Sequence, residues 1–255
     1  MTVAGYDPSG GAGVLADVRT IADMGCYGIA AITSVTFQNT RHVQGASHLH
    51  QDAVSGQMRA LLDDFEVAAI KTGMLPTASI VEEVALLVAQ KKVPILVVDP
   101  VIVSSSGYQL IEADALEAMK ELLLPLATVV TPNHQEAAAL TGMKVGEQHE
   151  AELAGSRLRQ TGARAVLITG GDASAKDVLL DCAGTVIYSG EFVESTNTHG
   201  TGCTFSSALA CLLARSVSLR DAVTQAKRYV EIAIRSAPQV GGGRGPLGQV
   251  QGFSY

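Results

Sequence analysis

The pattern that most constrains the fold is a repeated alternation between short apolar runs and longer amphipathic stretches. Each apolar run has the length of a strand and is rich in β-branched residues, whereas each amphipathic stretch has the length of a helix. Such alternation predicts βαβ units and a mainly parallel sheet covered by helices. The runs expected to form strands are Ile29–Val35, Val67–Ile70, Ile95–Val98, Ala127–Val130 and Ala165–Ile168.

One segment breaks this alternation. Val178–Leu180 and Thr185–Tyr188 flank the turn Asp181-Cys182-Ala183-Gly184, which predicts a hairpin and hence an antiparallel edge of the sheet. No linker or repeat divides the sequence, so we expect a single domain over residues 1–255. The predicted helices are Ala12–Met24, Gln51–Leu62, Ile80–Ala89, Ala115–Leu123, Gln135–Leu140, Glu150–Gln160, Cys203–Arg215 and Leu219–Ser236.

Composition excludes several classes of function. The chain has 255 residues and a net charge of −7, and nucleic acid is normally bound by clustered Lys and Arg. No apolar stretch approaches the roughly 18 residues that a membrane span needs. The N-terminus lacks the basic region of a signal peptide. The four cysteines form no C-x-x-C pair and no disulfide-like spacing, so we expect a reduced, cytoplasmic protein. From the charge and the short apolar runs, we expect neither nucleic-acid nor membrane partners.

Polar or glycine-rich turns follow the predicted strands. Ligands of open α/β sheets bind at the carboxyl ends of the strands, so turns gathered on that edge predict a ligand site. The turns are Asp7-Pro8-Ser9-Gly10-Gly11, Lys71-Thr72-Gly73-Met74, Asp99-Pro100-Val101, Thr131-Pro132-Asn133 and Thr169-Gly170-Gly171-Asp172.

The segment Gly200-Thr201-Gly202-Cys203 opens an apolar helix. Its glycines let backbone amides crowd together, and a helix N-terminus attracts anions, so the segment can hold the charge of a transferred phosphoryl group. A tight turn without a ligand explains the two glycines equally well. A thiol in the first helical turn can have a lowered pKa, which makes Cys203 a candidate base for a substrate hydroxyl. The alternative is that Cys203 is a small packing residue.

Asn133 and Glu136 lie three residues apart at the start of a predicted helix, on one face of it. An amide and a carboxylate oxygen suit Mg²⁺, which prefers oxygen ligands and keeps several waters. The same pair also fits a helix-capping box. The two interpretations are compatible, because capping can fix Glu136 in place.

Together, these segments resemble the ribokinase-like superfamily and, within it, the hydroxymethylpyrimidine and phosphomethylpyrimidine kinases of thiamin synthesis. The resemblance runs nearly end to end, and its ordered set of motifs is specific although each single motif is weak. The motifs are the run Val3–Gly13 with Ala16-Asp17, Gln38-Asn39-Thr40, Lys71–Met74, Asp99–Val101, Thr131–Asn133 with Glu136, and Thr198–Thr204.

The resemblance implies a three-layer α/β/α fold, a homodimer and two successive ATP-dependent phosphorylations. The first acts on 4-amino-5-hydroxymethyl-2-methylpyrimidine and the second on its monophosphate. It also implies that Cys203 takes the place of the catalytic Asp of sugar kinases, within the anion-binding turn of Gly200, Thr201 and Gly202. By position, it implies a pyrimidine pocket of Gly5, Ala12, Asp17, Gln38, Met74 and Val101, ATP contacts from Asn133, Thr169, Gly171 and Lys227, and Mg²⁺ held through water by Asn133 and Glu136.

One motif departs from the pattern. Thr169-Gly170-Gly171-Asp172 stands where the pyrimidine kinases often carry Lys-Gly-Gly-His, so a cation that could meet the phosphates is absent. A Thr at this position resembles the related bacterial pyridoxal kinases. Pyridoxal kinase therefore remains an alternative function, whereas Gln38-Asn39 favours the pyrimidine. A ligand-binding relative without catalysis is a third hypothesis, which the presence of Cys203, Asn133 and Glu136 disfavours.

Overall fold

The computed structural model describes residues 1–104, 107–170, 176–190 and 193–249. Eight α-helices lie within these ranges, and a π-helical turn (Met119–Leu123) and a 3₁₀ turn (Leu124–Leu126) follow the fourth. No helix of the described ranges is both long enough and apolar enough to cross a membrane. The helices are α1 (Gly13–Asp23), α2 (Gln51–Asp64), α3 (Ala78–Gln90), α4 (Ala113–Ala118), α5 (His134–Thr141), α6 (Gln148–Arg159), α7 (Thr201–Ala214) and α8 (Leu219–Arg235).

The same ranges contain nine strands. They are β1 (Thr2–Tyr6), β2 (Ala30–Gln38), β3 (Val43–His48), β4 (Ile70–Thr72), β5 (Leu96–Val98), β6 (Val129–Val130), β7 (Val166–Ile168), β8 (Lys176–Asp181) and β9 (Gly184–Ser189). They form one sheet in the order β3-β2-β1-β4-β5-β6-β7-β8-β9. All pairs from β2 to β7 are parallel, and the outer pairs β2–β3, β7–β8 and β8–β9 are antiparallel.

Side chains of the central strands alternate between two apolar layers. In β5, Val97 packs into the layer that contains residues of α1, α7 and α8, whereas Val98 packs into the layer of α2 to α6. Val129 and Val130 of β6 divide in the same way. Both faces of the sheet are therefore covered by helices, which explains why these strands are continuously apolar in sequence. The predicted three-layer α/β/α fold with a mainly parallel sheet and an antiparallel edge hairpin is confirmed.

Two strands differ from the prediction for a physical reason. β3 was not predicted, because its sequence Val-Gln-Gly-Ala-Ser-His is mostly polar or small and lies half in solvent at the edge of the sheet. The segment predicted at Val67–Ile70 forms its strand two to three residues later, as β4. Its Lys71 is completely buried, and a charged residue in a core strand hides that strand from a search for apolar runs.

The carboxyl ends of β1, β4, β5, β6 and β7 lie along one edge of the sheet. The polar turns follow them there, and the one after β7 is described as far as Gly170. The N-terminus of α7 packs against this edge, since a Cβ atom at Gly202 would lie 3.9 Å from Asp99 Oδ2, just after β5.

Candidate active site

The turn before α7 can be built only with glycine. Gly200 is the N-cap residue of α7 and has a φ angle of +84°, in the left-handed region. A Cβ atom there would lie 1.9 Å from the carbonyl oxygen of Gly11. The turn is therefore pressed against the loop that follows β1. Because the first amides of a helix lack intrahelical acceptors, the arrangement presents N–H groups to an anion at the site edge.

Asp7 and His199 join this turn to the loop after β1. The Nε2 atom of His199 lies 2.8 Å from Asp7 Oδ2, and the same carboxylate accepts hydrogen bonds from the backbone N–H groups of Ser9 (2.8 Å) and Ala12 (2.9 Å). Burial alone would raise the pKa of Asp7, but the hydrogen bonds from His199 and Ser9 outweigh it and hold the pKa below its usual value. Asp7 is thus a charged carboxylate that fixes both the loop and the turn.

A buried cluster of charges lies beneath the same turn. The Lys71 side chain is 1% exposed, and its Nζ donates to both oxygens of Asp17 at 2.9 and 3.0 Å. Asp99 Oδ2 lies 3.7 Å from the same Nζ. Burial alone would lower the pKa of Lys71, but the charges of Asp17 and Asp99 hold it above its usual value. Lys71 is therefore a permanent cation in the floor of the site.

Two serines of α7 connect the first turns of this helix to the charge cluster. Ser206 Oγ donates to Asp99 Oδ2 at 2.9 Å, and Ser207 Oγ donates to Asp17 Oδ1 at 2.9 Å. Both serines are completely buried. The start of α7 is consequently fixed by hydrogen bonds to charged groups, which are stronger than bonds between neutral groups.

Cys203 lies in the first turn of α7 and is half-buried. Removal of its sulfur from solvent raises the pKa of the thiol to about 12, and the carboxylates of Asp17 and Asp99 act in the same direction. Lys71 and a hydrogen bond from the Gly13 backbone oppose the rise without cancelling it. The prediction of a lowered thiol pKa is therefore wrong for the ligand-free site, because burial outweighs the helix N-terminus.

Asn133 and Glu136 form the capping box of α5. Asn133 Oδ1 accepts from the Glu136 N–H, and Glu136 Oε2 accepts from the Asn133 N–H, both at 2.9 Å. Burial and the nearby charge of Asp99 raise the pKa of Glu136 to about 8, although hydrogen bonds from the Asn133 and Ile102 backbones act the other way. The capping interpretation is confirmed. The Mg²⁺ interpretation stays a prediction.

The residues expected to bind the acceptor lie at the ends of β1, β2, β4 and β5. A Cβ atom at Gly5 would lie 3.1 Å from Met74 Sδ, so these two residues are in contact. Ala12 caps α1 next to the Gly200 turn, while Gln38 and Val101 are half-buried at the ends of β2 and β5. Asp17 differs from the expectation in that its side chain is completely buried beneath the site and bonded to Thr2, Lys71 and Ser207.

The residues expected to bind the nucleotide lie on the other side of α7. Asn133 and Thr169 are paired by a β-bridge at the ends of β6 and β7. Lys227 of α8 forms an ion pair with Asp177, whose other oxygen accepts from the Gly170 N–H at 3.0 Å. Through Asp177, the ion pair therefore holds Gly170, the second residue after β7. Gly171 lies outside the described residues.

The sequence analysis gave no role to three residues of the site: Lys71, Asp99 and His199. Lys71 and Asp99 occur in turns that were quoted only as motifs, and His199 precedes Gly200. A charged residue directly after a buried β-branched run is the signal that could have singled out Lys71 and Asp99. Nothing local reveals the partner of His199, because Asp7 is 192 residues away.

In this α/β/α fold, the strand ends face the N-terminus of α7, whose turn is built with glycine. A thiol lies in the first helical turn and carboxylates lie behind it. This arrangement is that of a phosphotransferase that acts on small molecules.

Comparison with known proteins supports this class and specifies the family. Residues 7–248 match the family model described as phosphomethylpyrimidine kinase. The hydroxymethylpyrimidine/phosphomethylpyrimidine kinase of Streptomyces coelicolor is 45% identical over 249 residues, which cover 97% of this chain and 92% of that protein. The thiamine biosynthesis bifunctional protein ThiED of Geobacter sulfurreducens is 42% identical over 98% of this chain, which spans only 52% of that longer protein.

The solved structure of Bacillus subtilis pyridoxal kinase, an ADP complex, superposes with a TM-score of 0.91 at 34% identity and covers 98% of this chain and 96% of that chain. The chain belongs to the phosphomethylpyrimidine kinase family. As a kinase, it transfers a phosphoryl group from ATP to a small molecule.

Proposed function

We propose that the chain phosphorylates 4-amino-5-hydroxymethyl-2-methylpyrimidine with ATP and then phosphorylates the resulting monophosphate to the diphosphate, in thiamin synthesis. The observation that supports this most is the Gly200 turn, which brings Cys203 and the helix N-terminus against the loop after β1. Family membership supplies the acceptor chemistry.

The role of the Gly200 turn is to bind the transferred phosphoryl group. The transition state of phosphoryl transfer carries charge on its equatorial oxygens, and catalysis consists mainly of positioning and electrostatic stabilisation. The amides of Gly202 and Cys203 at the positive end of α7 fulfil this requirement. The Thr201 N–H also lies in this turn but donates to the Thr198 carbonyl oxygen at 3.4 Å. Because Ser206 and Ser207 fix the helix to buried carboxylates, the amides need no rearrangement when charge develops.

Acceptor recognition falls to residues around the end of β2. The Gln38 side chain offers a donor and an acceptor to an aminopyrimidine edge. Met74, Val101 and the backbones of Gly5 and Ala12 complete the walls, and Asp17 acts from beneath by holding Lys71. On the other side of α7, Asn133, Thr169 and Lys227 bind the nucleotide. Gly171, which lies outside the described residues, is proposed from the sequence to take part as well.

We propose that a magnesium ion binds next to Asn133 and Glu136, between the acceptor residues and the nucleotide. In the described part of the chain, no group of three or more His, Cys, Asp or Glu side chains is arranged as a metal site. Asn133 and Glu136 are therefore suited to a cation held largely by water and nucleotide phosphates, as Mg²⁺ usually is. When bound, Mg²⁺ neutralises phosphate charge. Glu136 would hold the water shell of the ion as a carboxylate, a form that the nearby cation would favour against the burial that raises its pKa to about 8.

Cys203 is proposed to take the proton of the acceptor hydroxyl. Because burial raises the pKa of its thiol to about 12, this role requires that the bound substrates favour the thiolate. The alcohol of the first step must lose a proton, whereas the ionised phosphate of the second step has none to lose. We therefore expect Cys203→Ala to lower kcat of the first step about 100-fold and that of the second step less than about fivefold. The measurement is ADP release with each acceptor supplied separately. Equal losses in both steps would show that Cys203 positions the acceptors and is not a base.

Pyridoxal kinase is the second candidate function. Thr169 and the close structural match to a pyridoxal kinase favour it. A coupled ADP assay with the pyrimidine and with pyridoxal separates the two candidates. Turnover of pyridoxal without turnover of the pyrimidine would reverse the choice.

A homodimer, a cytoplasmic location and one domain over residues 1–255 also remain predictions from the sequence. Sedimentation of the purified chain tests the first of them.

A further inference from the structure

The glycine-rich segment after α8 packs against the turn between β2 and β3. The N–H groups of Gly242 and Gly243 each donate to Thr40 Oγ1 at 3.2 Å. A Cβ atom at Gly242 would lie 2.4 Å from Arg41 Nη2, and one at Gly243 would lie 2.1 Å from the Thr40 carbonyl oxygen. At Gly243 the clash is with backbone, so only glycine allows this approach, and the segment is held against the β2–β3 turn.

The same segment is attached to the Gly200 turn. The His199 N–H donates to the Gly245 carbonyl oxygen at 3.1 Å, and His199 and Pro246 form a β-bridge. On its other side, the His199 ring contacts Asp7. Residues 241–245 therefore connect the β2–β3 turn to the residue directly before the anion-binding turn.

These contacts form one side of a half-open pocket of about 320 Å³, which we call the arginine pocket. Arg41 and Arg244, both exposed, are among its lining residues, and none of the lining residues is acidic. Guanidinium groups stay charged at all relevant pH values and match the oxygens of a phosphate in pairs. The further lining residues that matter here are Gln38, Thr40, His42 and His199.

The position of the arginine pocket indicates which substrate it serves. It shares Gln38 with the proposed acceptor site, at the end of β2. The nucleotide residues follow β6 and β7, and β1, β4 and β5 lie between β2 and β6 in the sheet. A phosphate group in the arginine pocket therefore belongs to the acceptor.

We propose that Arg41 and Arg244 bind the phosphate group of the acceptor monophosphate in the second phosphorylation, an inference that rests on the proposed function. In this step, an oxygen of the monophosphate forms a bond to the γ-phosphorus of ATP. The bond from that phosphorus to the β–γ bridging oxygen breaks, and ADP leaves with the electron pair. The two arginines supply positive charge near the reacting phosphates that Thr169 does not supply.

The test separates the two acceptors kinetically. Arg41→Gln and Arg244→Gln are prepared in the full chain, with Arg59→Gln as a control because Arg59 is a surface residue of α2. ADP release is measured with the pyrimidine alcohol and with its monophosphate. Each pocket variant is expected to raise KM for the monophosphate about tenfold or more. KM for the alcohol and for ATP should stay within about twofold of wild type.

Three outcomes would overturn the inference. A rise in KM for ATP in both steps assigns the arginines to the nucleotide phosphates. An equal rise in KM for both acceptors assigns them to general packing. Unchanged KM values for both acceptors and for ATP would show that the arginine pocket does not bind the acceptor phosphate. Thermal unfolding midpoints equal to that of the control establish that the variants are folded, and partial recovery in Arg41→Lys supports a role for charge.

Failure of the proposed function gives a different result. If the wild-type chain phosphorylates neither pyrimidine, the proposed function fails, and the arginine pocket is judged by calorimetric binding of inorganic phosphate. The Arg41→Gln/Arg244→Gln double variant should then bind phosphate about tenfold more weakly than the Arg59→Gln control, whereas equal binding overturns the inference.

Discussion

Lys71 places a full positive charge inside the protein, below the residues that handle phosphate. Its ammonium group is surrounded by Asp17 and Asp99, and these carboxylates hold Ser207 and Ser206 of α7. A buried ion pair contributes little to stability over apolar residues of the same shape, so its value here lies in what it positions. Here it positions the start of α7 against β4 and β5.

Removal of the Lys71 charge should lower the free energy of unfolding more than removal of the charge of a surface lysine. Lys71→Met leaves the Asp17 carboxylate buried without its cation, so we expect a loss of about 3–5 kcal/mol in the free energy of unfolding. Lys91→Met is the control, because its ion pair with Asp63 is exposed and should contribute less than about 1 kcal/mol. Urea unfolding measures both variants.

The double variant Lys71→Met/Asp17→Asn removes both charges and should recover part of the lost stability, while phosphoryl transfer stays impaired. Full recovery of activity with stability would contradict a positioning role for Lys71.

Residues with local signals could be predicted, and residues with distant partners could not. Gly200 is recognisable because a left-handed turn with close backbone approach needs glycine wherever it occurs. Asn133 with Glu136 is recognisable because capping acts across one helical turn. The pKa of Cys203 was misjudged, since a helix start is visible in sequence but the burial of one sulfur among Asp17, Asp99 and Gly13 is not. The arginine pocket was equally hidden, as Arg41 and Arg244 come from opposite ends of the chain.

Among the elements, α7 depends most on the backbone conformation of one residue. Gly200→Ala would place a Cβ atom 1.9 Å from the Gly11 carbonyl oxygen, at a φ angle of +84°. The turn and the loop after β1 must then separate, and a displacement of this size should lower kcat about 100-fold. Steady-state ADP release measures the loss.

Gly142 provides the matched control for this substitution. It caps α5 with a φ angle of +69°, but a Cβ atom there meets nothing within 4 Å. Gly142→Ala should therefore lower stability by about 1–2 kcal/mol through backbone strain alone and leave kcat within twofold. Similar kinetic losses in both variants would attribute the effect to strain and not to the Gly11 contact.

The edge strands show which strands can be predicted from the sequence pattern and which cannot. β8 and β9 were predicted because an apolar run, a turn and a second run lie next to each other in sequence. β3 was not, although it pairs with β2 in the same antiparallel manner. Its side chains bury too little apolar surface to leave a periodic pattern, and its place is fixed by the backbone of β2.

For the whole molecule, the two apolar layers share one sheet, and we expect them to unfold together. Leu209→Ala of α7 and Leu87→Ala of α3 each empty a fully buried position on opposite faces of the sheet. Each should lower the free energy of unfolding by about 2–5 kcal/mol and shift a single transition. Leu86→Ala, the neighbour of Leu87, is 44% exposed and should cost less than about 1 kcal/mol. Circular dichroism during urea unfolding measures all three. Two separate transitions, only one of them shifted, would indicate two domains.

The pairing of Asp7 with His199 also has a consequence for the order of folding. The two residues are 192 positions apart, and Ser207 and Asp17 are separated by 190. Contacts of such high sequence separation carry a large loop-closure entropy and form late. A chain still on the ribosome, with α7 not yet released, has the loop after β1 but not the turn that must pack on it. ATP-dependent activity therefore reports complete folding, because the site exists only when both ends of the chain have come together.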